Sequence, residues 1–123
     1  MKLKQELIDK YLKTVTNNGL ELDRVPKRYR TPEICLSAVE ENGCGLKYVP
    51  KKYRIKDLCV IALENDMRAI EYVPKDVLTV DFAIQIVTTI EHEFNKVPKK
   101  YRSLPVFQEA YRYYDEEYIL TVE

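Results

Sequence analysis

Apolar residues recur along this chain with two spacings at once. Over a short stretch they fall at i, i+1, i+4 and i+5, first as Ile34, Cys35, Ala38 and Val39. That spacing marks one face of an α-helix. The whole set then returns at steps of 24 residues, as Leu58, Cys59, Ala62 and Leu63, as Phe82, Ala83, Ile86 and Val87, and as Val106, Phe107, Ala110 and Tyr111. One more apolar position trails each set: Leu46, Ile70, Phe94 and Tyr118. The pattern predicts one helix of about three turns per repeat, with the repeats burying their apolar faces against one another.

A second signal shares the register. Val25-Pro26-Lys27-Arg28-Tyr29-Arg30 recurs as Val49-Pro50-Lys51-Lys52-Tyr53-Arg54 and as Val97-Pro98-Lys99-Lys100-Tyr101-Arg102, with a partial copy at Val73-Pro74-Lys75-Asp76-Val77-Leu78. With each valine as position 1, the apolar positions are 10, 11, 14, 15 and 22. This divides a single domain, 1–123, into repeats 25–48, 49–72, 73–96 and 97–120 and a tail 121–123. Tyr11, Val15, Gly19 and Leu22 make residues 1–24 a degenerate N-terminal capping unit.

Start and stop signals bound the main helix at positions 8 to 18. Thr31, Thr79 and Ser103 stand at position 7 as N-caps. Pro32 follows where its missing N–H costs nothing, and Glu33, Asp57 and Asp81 suit the first turn of the dipole. Asn18-Gly19 and Asn42-Gly43 read as stops, with the glycine in the left-handed C′ conformation. The six residues before each Val-Pro predict a short helical turn, ended by proline. The Pro-Lys-Lys-Tyr-Arg string predicts another. The expected fold is all-α, a compact α-solenoid. A β-solenoid of similar period would need an alternating apolar pattern, which is missing.

Val25 to Arg30, Cys35 to Val39, Asn42-Gly43 and Leu46 to Tyr48 together resemble a family of tandem 24-residue helical-repeat proteins found in bacteria, phages and large DNA viruses. The resemblance covers nearly the whole chain. It implies the repeat fold and no activity, because that family has no established biochemistry. The third full repeat departs from it: Asp76, Val77 and Leu78 replace the basic-aromatic residues, and Glu91 replaces the glycine.

Composition narrows the function classes. Formal net charge is 0, with 46% hydrophobic and 33% charged residues, which suits a folded domain without a global pull toward nucleic acid or membrane. The longest apolar stretch, 77–90, is broken by Asp81 and Gln85 and is too short to span a bilayer. No signal-peptide pattern opens the chain, and an odd count of three cysteines fits a reducing compartment, so a cytoplasmic location is expected. Cys35, Cys44, Cys59 and the lone His92 form no ligand set for zinc, and no cofactor motif is present. Cys35 and Cys59 read as small core residues and Cys44 as an exposed turn residue.

The candidate binding residues are the basic-aromatic strings Lys27, Arg28, Tyr29, Arg30, then Lys51, Lys52, Tyr53, Arg54, then Lys99, Lys100, Tyr101, Arg102. Once per repeat, they predict a ladder of cations and rings along one edge. Carboxylates such as Glu40-Glu41, Glu64 with Asp66, Glu91 with Glu93, and Asp115-Glu116-Glu117 predict an opposite, solvated rim. Nothing among them sets up acid–base chemistry in a cleft. In the tyrosine run Tyr111, Tyr113, Tyr114 and Tyr118, the first and last fall at core positions, while Tyr113 and Tyr114 read as an end cap, or as a contact patch for a partner or a second copy in a homodimer. The expected function is a non-enzymatic protein-interaction module, an adaptor or small inhibitor of the kind that phages and mobile elements encode. Nucleic-acid binding through the ladder is the alternative.

Overall fold

The computed structural model describes residues 2–89 and 99–122, with side chains described for 3–89 and 99–113. Every regular element among the described residues is helical. The α-helices are α1 (Lys2–Asn17), α2 (Pro32–Glu41), α3 (Lys56–Asn65), α4 (Val80–Thr89), α5 (Lys99–Arg102) and α6 (Pro105–Val122). The expected all-α class holds. Among the described residues, no helix is long and apolar enough to cross a membrane.

Helices α2, α3 and α4 each have 10 residues and begin at positions 32, 56 and 80. Their starts follow the capping logic where a hydroxyl is available. Thr31 Oγ1 accepts from the Ile34 N–H at 3.3 Å, and Thr79 Oγ1 from the Phe82 N–H at 3.2 Å. Ile55 holds the same position before α3, and there the cap makes no side-chain hydrogen bond. Ser103 is not the N-cap its position predicts. Its hydroxyl donates back to the Lys100 carbonyl at 3.1 Å, and α6 starts later, at Pro105.

The helix ends correct the expected role of the Asn-Gly pairs. Asn18, Asn42 and Asp66 are extended, with φ of −153°, −147° and −155°. Each side chain accepts from the N–H two residues on, in Leu20, Cys44 and Arg68, and so opens a six-residue 3-10 helix: Gly19–Arg24, Gly43–Tyr48 and Met67–Tyr72. Neither Gly19 nor Gly43 takes a left-handed φ. They are needed because the chain passes against the next helix. A Cβ on Gly19 would lie 2.1 Å from the Ala38 carbonyl oxygen, and one on Gly43 would lie 2.1 Å from that of Ala62. The same approach is fastened by hydrogen bonds. The Gly19 N–H donates to Glu41 Oε1 at 2.7 Å, and the Gly43 N–H to Asn65 Oδ1 at 2.6 Å. Asn65 Nδ2 also donates to the Glu40 carbonyl at 3.0 Å.

The short turns predicted after each Val-Pro are present as 3-10 turns at Lys27–Tyr29 and Lys51–Tyr53, and as the single α-turn α5. The last repeat differs from expectation. Its main helix was to end at position 18, yet α6 continues for 18 residues to Val122. Position 18 is Tyr114 there, so no Asx side chain is available to open a 3-10 helix in place of the next turn.

The chain forms two compact units, Met1–Val73 and Pro74–Glu123. In the first, α1 packs on α2 and α2 on α3, while Gly19–Arg24 packs on Gly43–Tyr48 and that on Met67–Tyr72. Its core holds Val15, Leu22, Val25, Ile34, Cys35, Ala38, Val39, Leu46, Val49, Cys59, Ala62, Leu63 and Ile70, all essentially without solvent contact. In the second, α4 packs on α6 through Phe82, Ala83, Ile86, Val87, Phe107 and Ala110. Val106 and Tyr111, expected in that core, are only half-buried. Phe94, Val97 and the side chain of Tyr118 lie outside the described residues.

A basic-aromatic groove as the candidate functional site

The proline of each Val-Pro ends one 3-10 helix and starts the next turn, so the cations that follow are presented on a short, rigid segment. Within it the arginine at position 6 has a fixed duty. Arg30 donates from Nε to the Val25 carbonyl at 2.8 Å, from Nη1 to Tyr48 at 2.8 Å and from Nη2 to Asp23 at 3.2 Å. Arg54 repeats this on Val49 at 2.8 Å, Tyr72 at 3.2 Å and Lys47 at 2.9 Å. Each guanidinium therefore satisfies the last carbonyls of two successive 3-10 helices, which would otherwise be left open at a helix end. Burial pulls the Arg54 pKa below its ordinary value, and the neighbouring Cys59 partly offsets this.

The other members of each string are solvent-facing. Lys27, Arg28, Lys51 and Lys52 are exposed. The tyrosine rings are half-buried and carry a cation above them: Arg28 lies 5.1 Å from the Tyr29 centroid, and Lys52 Nζ 5.0 Å from that of Tyr53. Such contacts hold the rings' outer faces near positive charge. Tyr29 also meets Tyr11 of α1 at 5.7 Å between centroids.

Between the first two strings runs a groove of about 640 Å³. Its wall carries Lys27, Arg28, Arg30, Lys47, Lys51, Lys52 and Arg54, against a single carboxylate, Asp23. Tyr48 and Tyr53 are its aromatic members. The first two strings share this groove. The third string, Lys99, Lys100, Tyr101 and Arg102, forms α5 in the second unit, where Lys100 Nζ lies 5.0 Å from the Tyr101 centroid. Lys47 and Tyr48 were not among the sequence candidates. Lys47 has no counterpart at position 23 elsewhere, where Asp23, Glu71 and Asn95 stand, so a search by recurrence passes over it.

The remaining candidates are placed as follows. Two members of the acidic rim bind backbone: Glu41 is the hydrogen-bond acceptor of Gly19, and Asp66 caps a 3-10 helix while pairing with Arg68 at 2.8 Å. The Arg68 hydrogen bond lowers the Asp66 pKa. Cys35 is buried, and burial pushes its thiol up to about 11; its Sγ donates to the Arg30 carbonyl at 3.7 Å. Cys59 Sγ makes the same contact to Arg54 at 3.6 Å. Cys44 is half-buried rather than exposed, and burial and then Asp66 raise its pKa, so the thiol stays protonated. No three His, Cys, Asp or Glu groups gather as a metal site among the described residues. Tyr111 packs on Phe107 at 6.2 Å between centroids, and Tyr113 is 46% exposed. His92, Glu91, Glu93 and the side chains of Tyr114 to Glu117 lie outside the described residues. No protein-family model matches the chain, and neither does any curated protein or solved structure.

Proposed function

We propose that this chain is a non-enzymatic interaction module, an α-solenoid of 24-residue repeats, that holds a short acidic segment of a partner protein in the groove between its first two basic-aromatic strings. The observation that carries this is the seven-to-one ratio of cations to carboxylates along that wall, in a chain whose net charge is 0. Arg30 and Arg54 are immobilised by backbone carbonyls, so the groove is preorganised and little side-chain entropy is lost on binding. The lysines and Arg28 remain available for carboxylates. The footprint is short, because the third full repeat offers Lys75 beside Asp76 and then Val77 and Leu78. A short footprint suits a peptide segment better than a continuous nucleic-acid backbone, whose affinity grows with the number of phosphates neutralised.

The test compares a fluorescein-labelled hexaglutamate peptide with a labelled twelve-residue oligothymidylate by fluorescence anisotropy. The wild-type chain is set against a Lys27→Glu, Lys51→Glu, Lys52→Glu variant. These lysines are exposed and hold no backbone, so the variant should fold. Saturable peptide binding that falls at least tenfold in the variant supports the proposal. Tighter binding of the oligonucleotide, with a steep salt dependence, would move the groove to nucleic acid. No binding of either probe would overturn it.

A further inference from the structure

Position 7 before α2 and before α4 is a threonine whose hydroxyl caps the helix, Thr31 and Thr79. Before α3 it is Ile55, which offers no cap and is 58% exposed. An isoleucine here loses a hydrogen bond at the helix end and presents an aliphatic side chain to water. Local stability and solubility therefore do not account for an isoleucine at this position.

Beside Ile55 lies a hollow of about 320 Å³, lined by Pro32, Leu36, Tyr53, Leu58 and Ile61, with Asp57 as its sole charged residue. It sits over the outer faces of α2 and α3, within the first unit. Tyr53 belongs to both cavities: it walls the basic groove and this apolar hollow. A chain lying along the basic groove therefore reaches the hollow across one tyrosine ring.

We propose that this hollow is the socket for a large apolar side chain, leucine or phenylalanine, carried by the same acidic segment that occupies the basic groove. The inference rests on the interaction reading above and adds the partner's sequence character: a run of carboxylates close to one bulky apolar residue. Charge sorts the two ends. The groove attracts carboxylates, while Asp57 at the hollow repels them, so the segment has one favourable register. Ile55 supplies the exposed apolar wall against which the anchor packs, as buried anchors in small pockets carry much of the energy of an interface.

The probes are labelled peptides of four glutamates followed, after one to five glycines, by leucine, phenylalanine or serine. With the wild-type chain, the best leucine or phenylalanine peptide should bind at least tenfold tighter than its serine counterpart. In Ile55→Thr that advantage should vanish, while affinity for the serine peptide stays within twofold. Ile55→Thr restores the residue type that caps α2, so it should remain folded, with circular dichroism as the check. Equal affinity of apolar and serine peptides at every spacing would overturn the socket and leave the acidic reading standing. An apolar advantage that survives in Ile55→Thr would overturn the socket as well. Failure of every peptide to bind would overturn both.

Discussion

The repeat at 25–48 and the repeat at 49–72 are two copies of nearly the same device, and they differ where it is informative. Both carry an arginine at position 6, and Arg30 and Arg54 make the same three backbone hydrogen bonds. Both place a cysteine at position 11 whose Sγ meets the carbonyl of that arginine. Both end the main helix at position 17 and open a 3-10 helix from an Asx side chain. They part at position 19, where Gly43 faces Met67, and at position 7, where Thr31 faces Ile55. The arginine, the cysteine and the Asx cap are kept where they satisfy backbone groups. The differing residues show what each copy packs against or presents to solvent.

The largest effect should come from the close approach. Gly43→Ala puts a methyl group 2.1 Å from the Ala62 carbonyl oxygen, and the obstacle is backbone, which cannot rotate away. The turn must move off α3, and the Gly43 to Asn65 hydrogen bond goes with it. A loss of about 3 kcal/mol is expected from such overpacking, read as a lowered urea midpoint. A variant as stable as the wild type would show that the turn has room the packing does not suggest.

Next in size is the separation of structural cations from free ones within one string. Arg54→Leu removes the donor to three carbonyls, those of Val49, Tyr72 and Lys47, and should cost about 2 kcal/mol. Lys52→Leu, two residues earlier, removes one exposed ammonium over Tyr53 and should cost less than about 0.5 kcal/mol. Equal losses would mean that the arginine's hydrogen bonds contribute little to the folded state. In that case Arg54 would belong with the ligand-facing groups.

The string also shows where sequence reasoning stops. Helix faces, the bounds of α2 and α3 and most of the core were legible, because apolar periodicity at 3.6 residues and the 24-residue period report burial directly. Position 6 looked like a member of a charged ladder, since recurrence cannot tell a cation that binds backbone from one that faces solvent. Glu41 looked like rim for the same reason: its acceptor role depends on Gly19 arriving from the preceding turn. Asn-Gly was a visible break, but its cause lay across the repeat interface, in a carbonyl of the next helix rather than in the glycine's own φ. The groove needed three dimensions, since Lys47 joins it from the end of one repeat while Lys51 and Lys52 come from the start of the next.

The last expected effect has the opposite sign, and it bears most on function. Ile55→Thr should stabilise the chain by about 1 kcal/mol, because a threonine cap replaces an N-terminus of α3 that now lacks one. Little is lost in exchange, as Ile55 is 58% exposed and buries little apolar surface. Thr31, in the equivalent place before α2, shows that the backbone accepts the residue, with its Oγ1 on the Ile34 N–H at 3.3 Å. Thermal and urea unfolding of the unliganded chain measure this without any partner. If Ile55→Thr is destabilising instead, the isoleucine is there for packing, and its exposure needs no ligand to account for it. If the variant is more stable and at the same time loses the preference for an apolar anchor, one residue has been shown to hold stability and recognition in opposition. Natural binding surfaces keep residues of that kind, because selection acts on function once the fold is stable enough.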